Sequence, residues 1–270
     1  MDNQRGILNK NHVVSIICET SASGWGPDDD EFCRNIARRL KASVVTSVGA
    51  VTSPYAIQVK SNDITLHCLR QPSFKPVSLD FDAPRRPVRN DPLIRAIGKN
   101  ARNVIDVTAG WCDDTLNLVY QGYNVTAIEQ NDVVMEMLVL AREKAKSSVL
   151  KSRLQLVHGN SVDYLVKLTK KVCVVYLDPM YPQKTKSARP RKNMQVLQDL
   201  VGHPVNEEQL LLQALGCATQ RVVVKRPHVA PPLIVPQIKS RIKRSGGHKV
   251  GEIKTKLVRF DIYKPFEDEV

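Results

Sequence analysis

No Cys-x-x-Cys pair occurs in this chain, although six cysteines do, at positions 18, 33, 68, 112, 173 and 217. Structural zinc sites draw on cysteine and histidine at short spacings, so no metal is expected. Cysteines scattered singly fit reduced thiols in a cytosolic protein, and Cys173, inside an apolar run, is expected to act as a small hydrophobe. Also missing is any apolar stretch of the ~18 residues that a membrane span needs. The opening MDNQRGILNKNHVV has neither the apolar core nor the cleavage pattern of an export signal, so a cytoplasmic protein is expected. There is no internal repeat and no low-complexity tract. The G-x-G-x-x-G fingerprint is absent too, which counts against a dinucleotide enzyme.

What the chain does have is positive charge. Its 270 residues carry 40 Lys and Arg against 27 Asp and Glu, a formal +13, with a pI near 9.5. Such an excess favours a polyanionic partner. With a membrane surface set aside, that partner is expected to be nucleic acid.

The chain breaks at residues 72–92, where five prolines and four Lys or Arg residues fall together. Prolines at this density oppose both helix and central strand, so a linker or surface loop is expected. Before it, the short apolar runs Val13–Ile17, Ser43–Thr46, Tyr55–Val59 and Ile64–Leu69 surround a helix predicted over Asp29–Leu40. This half, residues 1–85, reads as a small α+β module. After the break, Asp91 is a good N-cap and Pro92 a good first residue for a helix over Leu93–Gly98. Strands are then predicted at Asn103–Val107, Asn124–Ile128, Leu154–Val157, Val172–Leu177, Arg221–Lys225 and Leu257–Tyr263. Helices are predicted at Asp114–Gln121, Val133–Lys146 and Glu207–Leu215. Continuously apolar strands such as VCVVYL are buried on both faces. Alternating with helices, they imply a Rossmann-like, doubly wound parallel sheet over residues 86–270.

Ligands of such sheets lie outside the carboxyl ends of the strands. The first strand ends in Asp106-Val107-Thr108-Ala109-Gly110, whose small residues let backbone approach a ligand. The second ends in Glu129, 23 residues past Asp106, where an acid can accept both hydroxyls of a ribose. His158-Gly159-Asn160-Ser161 follows the third strand and either meets an adenine edge or simply caps the next helix. The fourth ends in Asp178-Pro179-Met180-Tyr181-Pro182. A stiff loop bearing a carboxylate, a free carbonyl and an aromatic ring suits amino methylation. An exocyclic NH2 is a poor nucleophile because its lone pair is delocalised, and acceptors on its hydrogens favour the tetrahedral nitrogen that attacks. Directly after come Lys184, Lys186, Arg189, Arg191 and Lys192. Lys225 and Arg226 follow the next strand end, and Lys239, Arg241, Lys243, Arg244 and Lys249 sit in a Gly-containing segment read as mobile. Cations grouped at the rim of such a site suit a phosphate backbone.

Four segments, VVYLDPMYPQKTKSA (174–188), RVVVKRPHVAPPL (221–233), QDLVG (198–202) and RFDIY (259–263), resemble the ribosomal RNA small subunit methyltransferase J family. The resemblance is densest from Asn103 to Tyr263 and weak before residue 85. It implies a class I methyltransferase that uses S-adenosylmethionine to make N2-methylguanosine in 16S rRNA. The family's D-A-T-A-G-L-G-R-D is here DVTAGWCDD, 106–114, with Cys112 for the second glycine and Asp113 for the arginine. Its E-R pair is Glu129-Gln130 and its S-S pair Asn160-Ser161. A glycine-rich basic segment of the family is here RRPVRNDP, without the glycines.

By this reading Asp178, the Pro179 carbonyl and Tyr181 hold and stack the base. Asp106, Ala109, Gly110, Asp113, Asp114, Glu129, Gln130, Asn160, Ser161 and Asp178 surround the cofactor. Lys184, Lys186, Arg189, Lys192, Lys225 and Arg226 meet RNA. The partner is 16S rRNA or the small ribosomal subunit, with no membrane and no metal, in an oligomeric state that the sequence does not give. The rivals are an adenine-N6 methyltransferase, a dinucleotide oxidoreductase and a non-catalytic RNA-binding relative.

Overall fold

A computed structural model describes residues 14–18, 27–60, 63–85, 88–180, 191–202, 206–234 and 246–267. The chain forms two compact units: Met1–Leu79 with Pro190–Val196, and Asp80–Arg189 with Leu197–Val270.

The first unit holds β1 (Val14–Cys18), α1 (Pro27–Leu40), β2 (Ser43–Val45), β3 (Tyr55–Lys60) and β4 (Asp63–Cys68). Its sheet has the order β2-β1-β3-β4, with β1 parallel to both neighbours and β3–β4 antiparallel. Ile16, Ile17, Ile36, Ile57 and Leu66 are fully buried. The buried hydroxyl of Ser15 is satisfied by those of Ser43 and Ser53, at 3.2 and 2.8 Å. One expectation is corrected here. Cys18 and Cys33, read as reduced thiols, are joined as a disulfide, their Cα atoms 6.5 Å apart. The end of β1 meets the buried face of α1, a proximity that sequence separation hides. Cys68, Cys112, Cys173 and Cys217 are free.

The second unit carries α2 (Pro92–Ile97), β5 (Asn103–Asp106), α3 (Asp113–Tyr120), β6 (Asn124–Glu129), α4 (Asp132–Lys144), α5 (Ser148–Arg153), β7 (Leu154–His158), α6 (Ser161–Val166) and β8 (Val172–Leu177). After α7 (Lys192–Val201), whose residues divide between the units at Leu197, come α8 (Glu207–Cys217), β9 (Ala218–Pro227), β10 (Lys249–Lys254) and β11 (Val258–Tyr263). The seven strands run β10-β11-β9-β8-β5-β6-β7. The five from β9 to β7 are parallel, as expected, whereas β11 and β10 are antiparallel additions. The order reverses beside β5, so the β5–β8 crevice is the place for a ligand.

Local chemistry sets the boundaries. Asp91 accepts from the backbone N–H groups of Leu93 and Ile94, with Pro92 opening α2. Asn131 caps α4 and Asn206 caps α8 in the same manner. Leu210, Leu211, Ala214 and Leu215 of α8 bury themselves among Val175, Leu177, Val222 and Val224 of the sheet. Each such leucine or valine side chain contributes about 1.5–3 kcal/mol.

The proline-rich break is more structured than a free linker. Val77 exchanges two backbone hydrogen bonds of 2.8 Å with Leu66. Further along, Tyr120 donates to the carbonyl of buried Phe81, and the carboxylate of Asp82 accepts from Lys146 N and Ser147 N. Helices α5, α6 and α7 and strand β10 lie outside the predicted elements. In β10, KVGEIK, charged residues and a glycine obscure the pattern; its first residues fall in the segment read as mobile, which is corrected at Lys249–Gly251. Residues 239–245 of that segment lie outside the described residues.

Candidate active site

The carboxyl ends of β5, β6, β8 and β9 bring four charged residues to one side of the sheet: Asp106, Glu129, Asp178 and Lys225. Strand register accounts for it, since Asp106 lies level with Ala127 and Tyr176, and Leu177 with Val224.

Glu129 is 5% exposed. Its Oε2 accepts from the Gly110 backbone N–H at 3.1 Å and its Oε1 from Asn131 N at 2.8 Å. Burial raises its pKa, against the pull of these donors. Gly110 has φ 51°, and a Cβ there would stand 2.9 Å from the tip of the Leu197 side chain, so glycine suits the turn and a larger residue would press on Leu197. Two residues on, Cys112 takes φ 62°, the left-handed conformation that the glycine of the family pattern adopts without strain. Ala109 N donates to the Ile128 carbonyl, tying the turn to β6.

Asp106 is also buried, its Oδ1 accepting from Thr108 N at 3.0 Å and its Oδ2 from the Thr115 hydroxyl at 2.5 Å. No cation is among these partners, and burial pushes its pKa from 3.8 to about 7. The Thr108 hydroxyl in turn accepts from Asp178 N at 2.6 Å, which fixes the start of the loop after β8.

The densest charge lies beside that loop. Lys225 Nζ donates to Asp114 Oδ2 at 2.7 Å and to Asp178 Oδ2 at 2.8 Å. The fully buried Tyr176 donates its hydroxyl to the same Asp114 oxygen at 2.6 Å. Burial alone would lower the pKa of the ammonium, but the two carboxylates outweigh it and hold that pKa well above the ordinary lysine range. Burial raises the Asp178 pKa; Lys225 opposes this and Asp114 adds to it. Burial and the surrounding carboxylates keep Tyr176 neutral.

Of the other expected residues, Gln130 and Asn160 lie at the same end of the sheet, joined by a 3.3 Å side-chain hydrogen bond. Asn160 is the cap of α6, its side chain accepting from Val162 N and Asp163 N. Ser161 donates to the Val107 carbonyl at 2.6 Å. Asp113 opens α3 with an exposed side chain, and its carbonyl accepts from Arg85. Pro179 is buried. Tyr181, Lys184, Lys186 and Arg189 lie outside the described residues.

Two cations read as rim residues, Lys225 and Arg226, are corrected, whereas Lys192 is exposed. Lys225 points into the acidic cluster. Arg226, its neighbour on β9, faces the other side of the sheet, 3% exposed, paired with Glu207 at 2.8 Å and with the Pro231 carbonyl. Successive strand residues must face opposite ways, so the two cannot share one phosphate surface. Lys192 is tied to the Ser73 carbonyl and lies 5.3 Å from the centre of the Phe74 ring. Tyr176 and Thr108 were missed. The signal for Tyr176 was its place two residues before Asp178, on the same strand face, in a run otherwise without hydroxyls.

A family described as "Putative SAM-dependent methyltransferase" matches residues 41–265. Ribosomal RNA small subunit methyltransferase J of Shewanella sp. (strain W3-18-1) is 36% identical over 226 residues, 78% of this chain and 83% of the relative. This chain belongs to that family of SAM-dependent methyltransferases. The protein of the same name from Shewanella sediminis is 36% identical over 224 residues, 77% of this chain and 83% of the relative. A crystal structure of a SAM-dependent methyltransferase from Neisseria gonorrhoeae shares the fold, with TM-score 0.65 and 23% identity over 95% of this chain and 98% of that one. The protein is therefore a class I methyltransferase and its cofactor is S-adenosylmethionine. The residues present fit that group: a buried glutamate at the end of β6 with lone pairs beyond its backbone donors, facing the left-handed turn at Gly110. Among the described residues no helix is long and apolar enough to cross a membrane, and no three His, Cys, Asp or Glu side chains gather as a metal site.

Proposed function

We propose that this chain methylates the exocyclic N2 of a guanine in 16S small-subunit ribosomal RNA. The observation that carries this reading is the Asp178 carboxylate, set at the end of β8 beside the β5–β8 crevice. It is held through one oxygen by Lys225 and is about a third exposed. The names of the curated relatives support a ribosomal RNA substrate. We take 86–270 as the catalytic domain and 1–85 as a small module before it.

Glu129 would take the ribose hydroxyls of the cofactor. The Asp106–Gly110 turn, with Asp113 and Asp114, would flank its amino-acid portion, and Gln130, Asn160 and Ser161 its adenine. Bound S-adenosylmethionine supplies an electrophilic methyl carbon. Asp178 and the Pro179 carbonyl accept the hydrogens of the base amine, which localises the nitrogen lone pair. Tyr181 stacks on the base. Asp178 would take the proton that the nitrogen sheds on accepting the methyl group, and bound S-adenosylmethionine would supply that group with a neutral thioether as its leaving group. The target guanine must be unpaired or flipped out, since N2 is otherwise held in a base pair. Lys184, Lys186 and Arg189 meet the phosphates around it.

The test is methyl transfer from labelled S-adenosylmethionine to naked 16S rRNA and to small subunits, followed by digestion to nucleosides. N2-methylguanosine is the expected product. N6-methyladenosine would replace the guanine reading with the adenine one. Cofactor binding without transfer to either substrate would overturn the proposal.

A further inference from the structure

We infer that Lys225 is a positioning residue for the methyl transfer, a cation that bridges Asp114 and Asp178 so that Asp178 meets the substrate amine as an ionised acceptor. This inference rests on the reading of Asp178 as the group that holds the amine.

The geometry carries it. One ammonium nitrogen reaches both carboxylates, at 2.7 and 2.8 Å, and in each case touches Oδ2. The Asp178 carboxylate is thereby turned with Oδ1 left for an incoming N–H, while its backbone N–H is fixed to Thr108. Asp114 is fixed from the far side by the Tyr176 hydroxyl. Among the described residues, the charged and titratable groups facing Asp178 are Lys225 from β9, Asp114 from α3, Tyr176 from its own strand and Asp106 from β5. All but Lys225 are acids.

Take the ammonium away and two carboxylates confront one another in a half-buried site. Burial and the neighbouring acid then act on Asp178 without their counterweight, and both favour its protonated form. A protonated Asp178 presents an O–H where the amine needs a lone pair. Lys225 prevents this without acting as a base, because its own proton is held by the two acids. The trio also has the right sum. Two carboxylates and one ammonium leave one negative charge, facing the positive charge that develops on the attacking nitrogen.

The experiment is kcat against pH for the wild type, Lys225→Arg and Lys225→Met, with S-adenosylmethionine affinity measured calorimetrically on each. Lys225→Met should lower kcat at neutral pH about 10–100-fold, with an acid limb about one unit or more higher, so that activity recovers in alkali. Lys225→Arg keeps the charge and should keep the limb. Cofactor affinity should change little in either. A loss in Lys225→Met that is equal at every pH, or no loss, overturns the inference. Should that variant fail to fold, Asp114→Asn reads the same coupling from the other side. It removes the competing acid, so the acid limb should move to lower pH, and an upward move is the refuting result. Asp178→Asn separates the two readings. If it stays active, the amine-holding role itself is wrong; if it is dead while the Lys225→Met loss ignores pH, only the role of Lys225 falls.

Discussion

Two charged clusters sit in the larger unit, and they are built on opposite plans. On β10 and β11, Arg259 grips Asp261 with two bonds of 2.7 and 3.0 Å and gives its remaining donors to the carbonyls of His228 and Ala230. Asp261 is fully buried and also pairs with Lys249 at 2.7 Å. At the ends of β8 and β9, Lys225 stands between two acids with side chains 28% and 35% exposed. The planar arginine fork suits a closed network in which each group is fixed, whereas a lysine point charge bridges two carboxylates and leaves their other oxygens available. Both clusters use burial to strengthen ion pairing. The first turns that strength on the chain itself, holding the 228–230 turn against β11. The second keeps an acceptor poised.

The difference is open to attack from both sides. Arg259→Leu leaves the buried Asp261 carboxylate with Lys249 as its one remaining cation among the described residues and orphans the carbonyls of His228 and Ala230, and should cost about 3–5 kcal/mol, read as a lower urea midpoint, with kcat per folded molecule unchanged. If activity fell with stability intact, the closed cluster would not be purely structural. Asp178→Ala should do the reverse, lowering single-turnover methyl transfer at least about 10²–10³-fold while thermal stability and RNA affinity stay close to wild type.

Asp106 offers a pH test. Its pKa rises from 3.8 to about 7 on folding, so between those values the folded state binds the extra proton. The stability contribution is full below pH 3.8 and is lost as pH climbs through 7. Asp106→Asn removes the titration, so its melting temperature relative to wild type should improve between pH 5 and pH 8, by about a few °C. A pH-independent difference would show that Asp106 ionises freely. The smallest effect is expected outside both clusters: Lys184 and Lys186 changed together to Ala should weaken RNA binding modestly and lower its salt slope by about two.

Much of this was legible in the chain. Strands such as VCVVYL declare a buried parallel sheet, and Asp91-Pro92 declares a helix start, because burial and capping are local in origin. The acids at the strand ends could be located because a doubly wound sheet aims those ends at one crevice. Partners were not legible. Lys225 and Arg226 read alike as cations, yet one strand turns them to opposite faces, toward different acids. Tyr176 read as core because its hydroxyl partner, Asp114, comes from a helix 62 residues earlier. Cys18 and Cys33 read as free because nothing local says that β1 will end against α1. β10 escaped notice since its ladder is set by β11, not by its own apolar pattern.

That late strand has a consequence for how the molecule behaves in company. β10 is the outer edge of the seven-stranded sheet, and an exposed edge is a template on which another chain can add a strand. Its residues Lys249, Glu252 and Lys254 are linked to one another by ion pairs, and Lys249 is anchored inward to Asp261. An incoming strand would have to lay its backbone beside these charges and break their pairing. The edge is thereby guarded against stray self-association, and neutralising Lys249 and Lys254 would be felt first in solubility, before either fold or chemistry registered the change.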